Sequence, residues 1–135
     1  MQEDPKLKHK LAIKISRYDP ENADVVTTQR REFDILTQLK HVSLIQVHRF
    51  YSCEQRCFTV MERADGQTLS HFIRENEAFA VNPVKLTKLL FAQLLESVDY
   101  LHSQSVCHRD IKPDNVIVAD DLTVKLIDFN VAVRL

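Results

Sequence analysis

Between Asn82 and Ser103 the sequence places Leu86, Leu90, Leu94 and Val98 at strict four-residue spacing, the period of one helix face. Leu89, Phe91, Leu95 and Leu101 widen that stripe well beyond one narrow face. Such a helix wants burial on two sides, so the rest of the fold must be arranged around it. Asn82-Pro83 is its start signal, an N-cap followed by proline at the first helical position, and it ends near His102-Ser103. Each Leu or Phe left uncovered on it forfeits roughly 1.5–3 kcal/mol, a large share of a typical stability of about 5–15 kcal/mol.

The helix delivers the chain into His108-Arg109-Asp110-Ile111-Lys112-Pro113-Asp114-Asn115, answered downstream by Asp128-Phe129-Asn130. Lys112 follows Asp110 by two residues, Asn115 by five, and Asp128 lies thirteen beyond Asn115. Phosphorylation of a hydroxyl needs this kit: a carboxylate for the proton, a cation beside the moving phosphoryl, and two oxygen ligands for magnesium. Two β-type runs, residues 116–118 and 123–127, flank the hairpin-like pair Asp120-Asp121. Asp128 therefore stands at a strand end, where loop residues project into a cleft.

Upstream, Leu11, Ile13 and Ile15 alternate with Ala12, Lys14 and Ser16, the period of a half-buried strand. Ala12 and Lys14 share one of its faces. Turns are expected at Pro5 and at Asp19-Pro20-Glu21-Asn22. A helical pattern follows, with Glu32, Leu36 and Leu39 at i, i+4 and i+7. A glutamate on an apolar helix face needs a cation, and Lys14 is the candidate. Residues 44–51 and 58–61 read as a hairpin joined by polar residues 52–56. Glu62-Arg63-Ala64-Asp65-Gly66 breaks the pattern, and Thr68 can cap a short helix through about Asn76.

The 135 residues are 44% hydrophobic and 27% charged, with net charge −1, which suits one soluble globular domain and gives no electrostatic reason for a nucleic acid or anionic membrane partner. No apolar run approaches the roughly 20 residues that span a bilayer, and the charged N-terminus is unlike a secretory signal, so the cytosol or nucleus is expected. Cys53 and Cys57 could face each other across a hairpin, but no second ligand pair accompanies them, and all three cysteines read as free thiols.

The His-Arg-Asp-x-x-x-x-Asn spacing, with Asp-Phe after a β-type run, resembles the catalytic and magnesium loops of the protein kinase family, and Leu11-Ala12-Ile13-Lys14 is similar to the Val-Ala-Ile-Lys of its third strand. The resemblance implies an α+β, two-lobed kinase-like fold present in part. Residues 1–61 would belong to the small antiparallel-sheet lobe, 62–67 to the hinge, and 68–135 to the start of the large lobe. It implies an ATP-dependent kinase, of serine/threonine type because Lys112 stands two after Asp110, using ATP and Mg2+ on a protein substrate with a Ser or Thr hydroxyl.

By the same resemblance, Ala12 lies against adenine, and Lys14, paired with Glu32, holds the α- and β-phosphates. Met61 guards the back pocket, Glu62 and Ala64 meet the adenine edge through their backbone, and Ile117 completes the nucleotide site. Asp110 accepts or orients the substrate proton, Lys112 neutralises the phosphoryl, and Asn115 and Asp128 ligate magnesium. Arg109 would answer an activation-loop phosphate, His108 and Phe129 are structural, and Asp114 is a solvated carboxylate. Asn130 stands where the family has glycine; asparagine tolerates positive φ better than most non-glycine residues, so the loop can keep its geometry but should flip less freely than with glycine. With one glycine in the chain and Lys14 so near Met1, the glycine-rich loop is expected to be missing, as is the activation segment after Leu135. The expectation is a fragment that is inactive alone. The alternative is a non-catalytic kinase-like binding module, with a protein partner covering the helix from Asn82 to Ser103.

Overall fold

The computed structural model describes residues 10–18, 21 and 24–135. The turns expected at Pro5 and at Asp19-Pro20-Glu21-Asn22, Glu21 excepted, lie outside the described residues.

The upper part is an antiparallel sheet of β1 (Leu11–Arg17), β2 (Val47–Cys53) and β3 (Arg56–Glu62) in the order β1-β3-β2, with helix α1 (Asp24–Leu36) packed on one side. The β2–β3 turn is tighter than its polar sequence suggests. Cys53 pairs with Arg56 across two residues, and Glu54 takes φ 45° to close it. The first strand of the hairpin also starts later than expected, at Val47. Leu44 is drawn instead into the core, where it bridges Leu126 in parallel and is fully buried.

Strand β1 turns its apolar residues outward. Leu11, Ile13 and Ile15 point outward, Ile13 being 58% exposed, whereas Ala12, Lys14 and Ser16 turn inward. The register explains this, since Ala12, Lys14 and Ser16 pair with Met61, Thr59 and Cys57, the residues that face α1 and the cleft. Only one face of β1 can meet α1, and the requirement of buried Glu32 for a cation selects the face that carries Lys14.

The lower part contains β4 (Gln67–Thr68), α2 (Leu69–Glu75), α3 (Glu77–Val81), α4 (Pro83–Ser103), β5 (Val106–Cys107), β6 (Val116–Val118), β7 (Val124–Leu126) and β8 (Val133–Arg134), in small sheets ordered β4-β6-β7 and β5-β8. Thr68 caps α2 by accepting from the His71 N–H. Asn82 is the N-cap of α4 with Pro83 following it, though its side chain makes no cap bond and its N–H donates to Ala78 O of α3. Helix α4 buries Leu90, Leu94 and Leu101, while Leu89, Phe91 and Leu95 are exposed, Phe91 by 56%. The continuous core runs from Leu36 and Leu39 of the α1 region through Leu44 and Leu126 to Phe129, Val106 and Leu101.

Gly66 is where the chain enters the lower part. It has φ 124°, and a Cβ there would lie 2.2 Å from Val118 O, so only glycine fits this close approach. Among the described residues, no helix is long and apolar enough to cross a membrane.

Candidate active site

Lys14 on β1 and Glu32 on α1 form an ion pair at 2.6 Å, with Glu32 buried and Lys14 partly exposed. The other Glu32 oxygen accepts from the Phe129 N–H at 3.2 Å. One carboxylate thus joins three segments that are far apart in sequence. A buried carboxylate with both oxygens engaged is anchored, because losing either partner leaves charge uncompensated.

Around this pair is a cleft of about 370 Å³. Ala12 and Met61, paired across β1 and β3, line its upper wall with Lys14 and Glu32. Glu62 and Ala64 form one side, and Ile117 and Asp128 form the floor. Leu36, Ile45, Arg63 and Ile127 also line it and were not singled out in the sequence. Leu36 had a signal, being four residues after Glu32 on one helix face, and Ile127 adjoins Asp128; nothing local marked Ile45. A larger hollow of about 510 Å³ lies against α1, lined among others by Val26, Arg30, Phe50 and Arg134. It holds none of the residues of the two loop motifs, so size does not locate the chemistry.

Asp110, Lys112 and Asn115 cluster on the loop ahead of β6. Lys112 Nζ lies 3.0 Å from Asp110 Oδ2. Asn115 Nδ2 donates to both the carbonyl and the carboxylate of Asp110 at 2.9 Å, which aims the acid. The Lys112 hydrogen bond holds the Asp110 carboxyl below its usual range, with Asn115 assisting, and Asp110 in turn raises Lys112. Asp110 is therefore ionised at neutral pH, suited to orient a hydroxyl more than to pull strongly on its proton.

His108 accepts from the Asp110 N–H at its Nδ1 (3.2 Å), which leaves Nε2–H to donate to Ile127 O at 3.0 Å. Burial pushes its pKa down, and its ring meets Phe129 edge-on at 4.5 Å. This is a neutral packing histidine that ties the two motif loops together.

Positive φ falls on Asp128 (61°), and Asn130 is not among the residues that carry it. The short side chain of Asp128 tolerates that conformation. Asn130 is held otherwise: its carbonyl accepts from Arg31 Nη2 at 3.1 Å and its N–H donates to Asp128 Oδ1 at 3.4 Å, while its own Oδ1 is buried without a partner. Asp114 is likewise engaged, accepting from the Ser70 hydroxyl. Cys53, Cys57 and Cys107 are free; buried Cys57 donates to Gln29 Oε1 at 3.1 Å.

A family model described as Protein kinase domain matches residues 4–135. The chain is 38% identical over 103 residues to serine/threonine-protein kinase cds1 of Schizosaccharomyces pombe, covering 76% of this chain and 22% of that protein. It is 34% identical over 123 residues to the probable serine/threonine-protein kinase PknB of Lactococcus lactis, covering 90% and 19%. To sperm motility kinase Z of Mus musculus it is 33% identical over 103 residues, covering 76% and 20%. The chain thus spans about a fifth of the length of these relatives.

Proposed function

This chain belongs to the protein kinase family, and from that premise we propose that it carries the catalytic residues of a kinase that transfers the ATP γ-phosphoryl to a serine or threonine hydroxyl of a protein. The observation that carries the reading is Glu32, which holds Lys14 with one oxygen and the Phe129 N–H with the other. That contact joins Lys14, which would hold the phosphates, to the loop of Asp128, which would hold magnesium, and both residues line one cleft. Ala12, Met61, Ile117 and the backbone of Glu62 and Ala64 would enclose adenine, and Lys14 would neutralise its phosphates.

The donor set fits magnesium. Both Asn115 amide contacts use Nδ2, leaving its carbonyl oxygen to serve as a ligand with the Asp128 carboxylate. Among the described residues there is no cluster of three or more His, Cys, Asp or Glu that could hold a metal. Two protein oxygens suit a cation that takes its remaining ligands from water and phosphate. When bound, the ion would supply positive charge that neutralises the phosphates. Asp110, held ionised and aimed by Asn115 and Lys112, would orient the attacking hydroxyl, and Lys112 would stabilise charge on the phosphoryl oxygens.

The test is phosphorylation of a protein substrate by the full-length chain with magnesium and ATP. Asp110→Ala should lower kcat by about a hundred- to ten-thousandfold. An inactive wild type, or activity that survives the substitution, removes the reading. A second reading, a non-catalytic module that docks through α4, is favoured by the exposure of Leu89, Phe91 and Leu95. Partner capture abolished by Leu95→Asp, with no phosphorylation by the wild type, would favour it.

A further inference from the structure

Lys125 on β7 does not line the cleft, yet its ammonium gathers the elements that shape it. It lies 2.9 Å from Glu62 Oε1 and donates to the carbonyls of Val42 at 2.9 Å and Leu44 at 3.5 Å. The side chains of Lys125 and Glu62 are each 22% exposed, so solvent and salt screen the pair less than a surface pair. The same Glu62 oxygen accepts from the Gln46 N–H at 2.8 Å, while the Glu62 N–H donates to Gln46 O at 2.9 Å. The loop from Val42 to Gln46 is stitched to β7 as well, by Ile45 N–H to Leu126 O at 3.2 Å and Leu126 N–H to Ser43 O at 2.8 Å. Three segments therefore meet at one cation. Residues 62–64, which form a side of the cleft, hang directly from that knot.

We propose that Lys125 is a positioning residue for the nucleotide site, fixing the backbone of residues 62–64 relative to the strand that leads to Asp128. The inference rests on the reading that adenine meets the Glu62 and Ala64 backbone, and it adds a determinant of affinity that touches no ligand. Without the ammonium, two carbonyls lose a donor and the Glu62 carboxylate loses its counter-charge. Residues 62–64 then sample several arrangements, of which the nucleotide accepts one, and apparent affinity falls with that fraction. Asp110, Lys112 and Asn115 lie on a different loop, so the chemical step keeps its groups.

The experiment compares Lys125→Met, Lys125→Arg and Glu62→Gln in the full-length chain. Hydrogen exchange at the Glu62 and Arg63 amides, read without nucleotide, should quicken about tenfold in Lys125→Met, α4 amides keeping their wild-type rates. The dissociation constant of ADP with magnesium should rise about three- to tenfold, with kcat changing less than about twofold. Lys125→Arg should recover most of both effects. Adding Glu62→Gln to Lys125→Met should change little, because the two side chains act as one pair. Unchanged exchange at the two amides overturns the inference whatever the activity, and so does acceleration that extends through α4, which marks general destabilisation. A wild type that binds no magnesium nucleotide overturns the reading of the site, and the exchange rates still decide whether Lys125 holds residues 62–64.

Discussion

The two parts of the molecule are held together by different physics. Below the cleft, Leu44, Leu101, Val106, Leu126 and Phe129 form a dry cluster, each at most 1% exposed. Above it, the face between the sheet and α1 is polar. Gln29 is buried and donates to Thr59 Oγ1 at 2.9 Å and to Lys14 O at 3.3 Å, and it accepts from Cys57. The apolar residues of β1 point away from that face. A dry core resists displacement through volume and area, whereas a polar layer fixes one register because each donor has a particular acceptor. The upper part is thus ordered by pairing and the lower by packing.

Leu101→Ala attacks the packing and should produce the largest change. The cost is about 2–5 kcal/mol, read as a lower denaturant midpoint with amides throughout the lower part exchanging together. Gln29→Ala attacks the pairing and strands Thr59 and Cys57. It should cost about 1–3 kcal/mol, with faster exchange confined to β1, β3 and α1. If exchange quickened equally in α4, the two parts would form one cooperative unit and the contrast would dissolve. The smallest effect should come from pH. His108 has its folded pKa pushed by burial below the ordinary 6.5, so the unfolded chain takes the proton first as pH falls. Its contribution is complete above about pH 6.5 and is lost progressively below that, down to the folded pKa. Unfolding midpoints at pH 7.5 and pH 5 should separate less in His108→Gln than in wild type. An identical separation would show that this histidine is not carrying the pH dependence.

Where a signal was local, the sequence disclosed it. Thr68 before a short helix and Pro83 at the head of a long one mark elements that form where expected. The partnership of Lys14 with Glu32 was legible because a carboxylate on an apolar helix face has few options. What depended on tertiary contacts was hidden. The alternation in β1 reveals two faces but not which one meets α1. The run from Leu44 looks like strand, yet Ser43, Leu44 and Ile45 give their bonds to Leu126 and Lys125. Helix α3 is only five residues long, too short for periodicity, and is anchored by the Asn76 side chain accepting from the Phe79 N–H at 3.0 Å. The need for glycine at position 66 arises from Val118, more than fifty residues away in sequence.

The bridging carboxylate of Glu32 works as a coincidence detector. One residue along an α-helix is a turn of about 100°, so a rotation of α1 by a single residue removes Glu32 from Lys14 and from Phe129 together. The neighbours that could swing into its place, Arg31 and Phe33, cannot do either job: one repels the lysine and the other has no acceptor. To rotation of α1 the cleft should therefore respond as a latch does, closed with both contacts made and open with both broken.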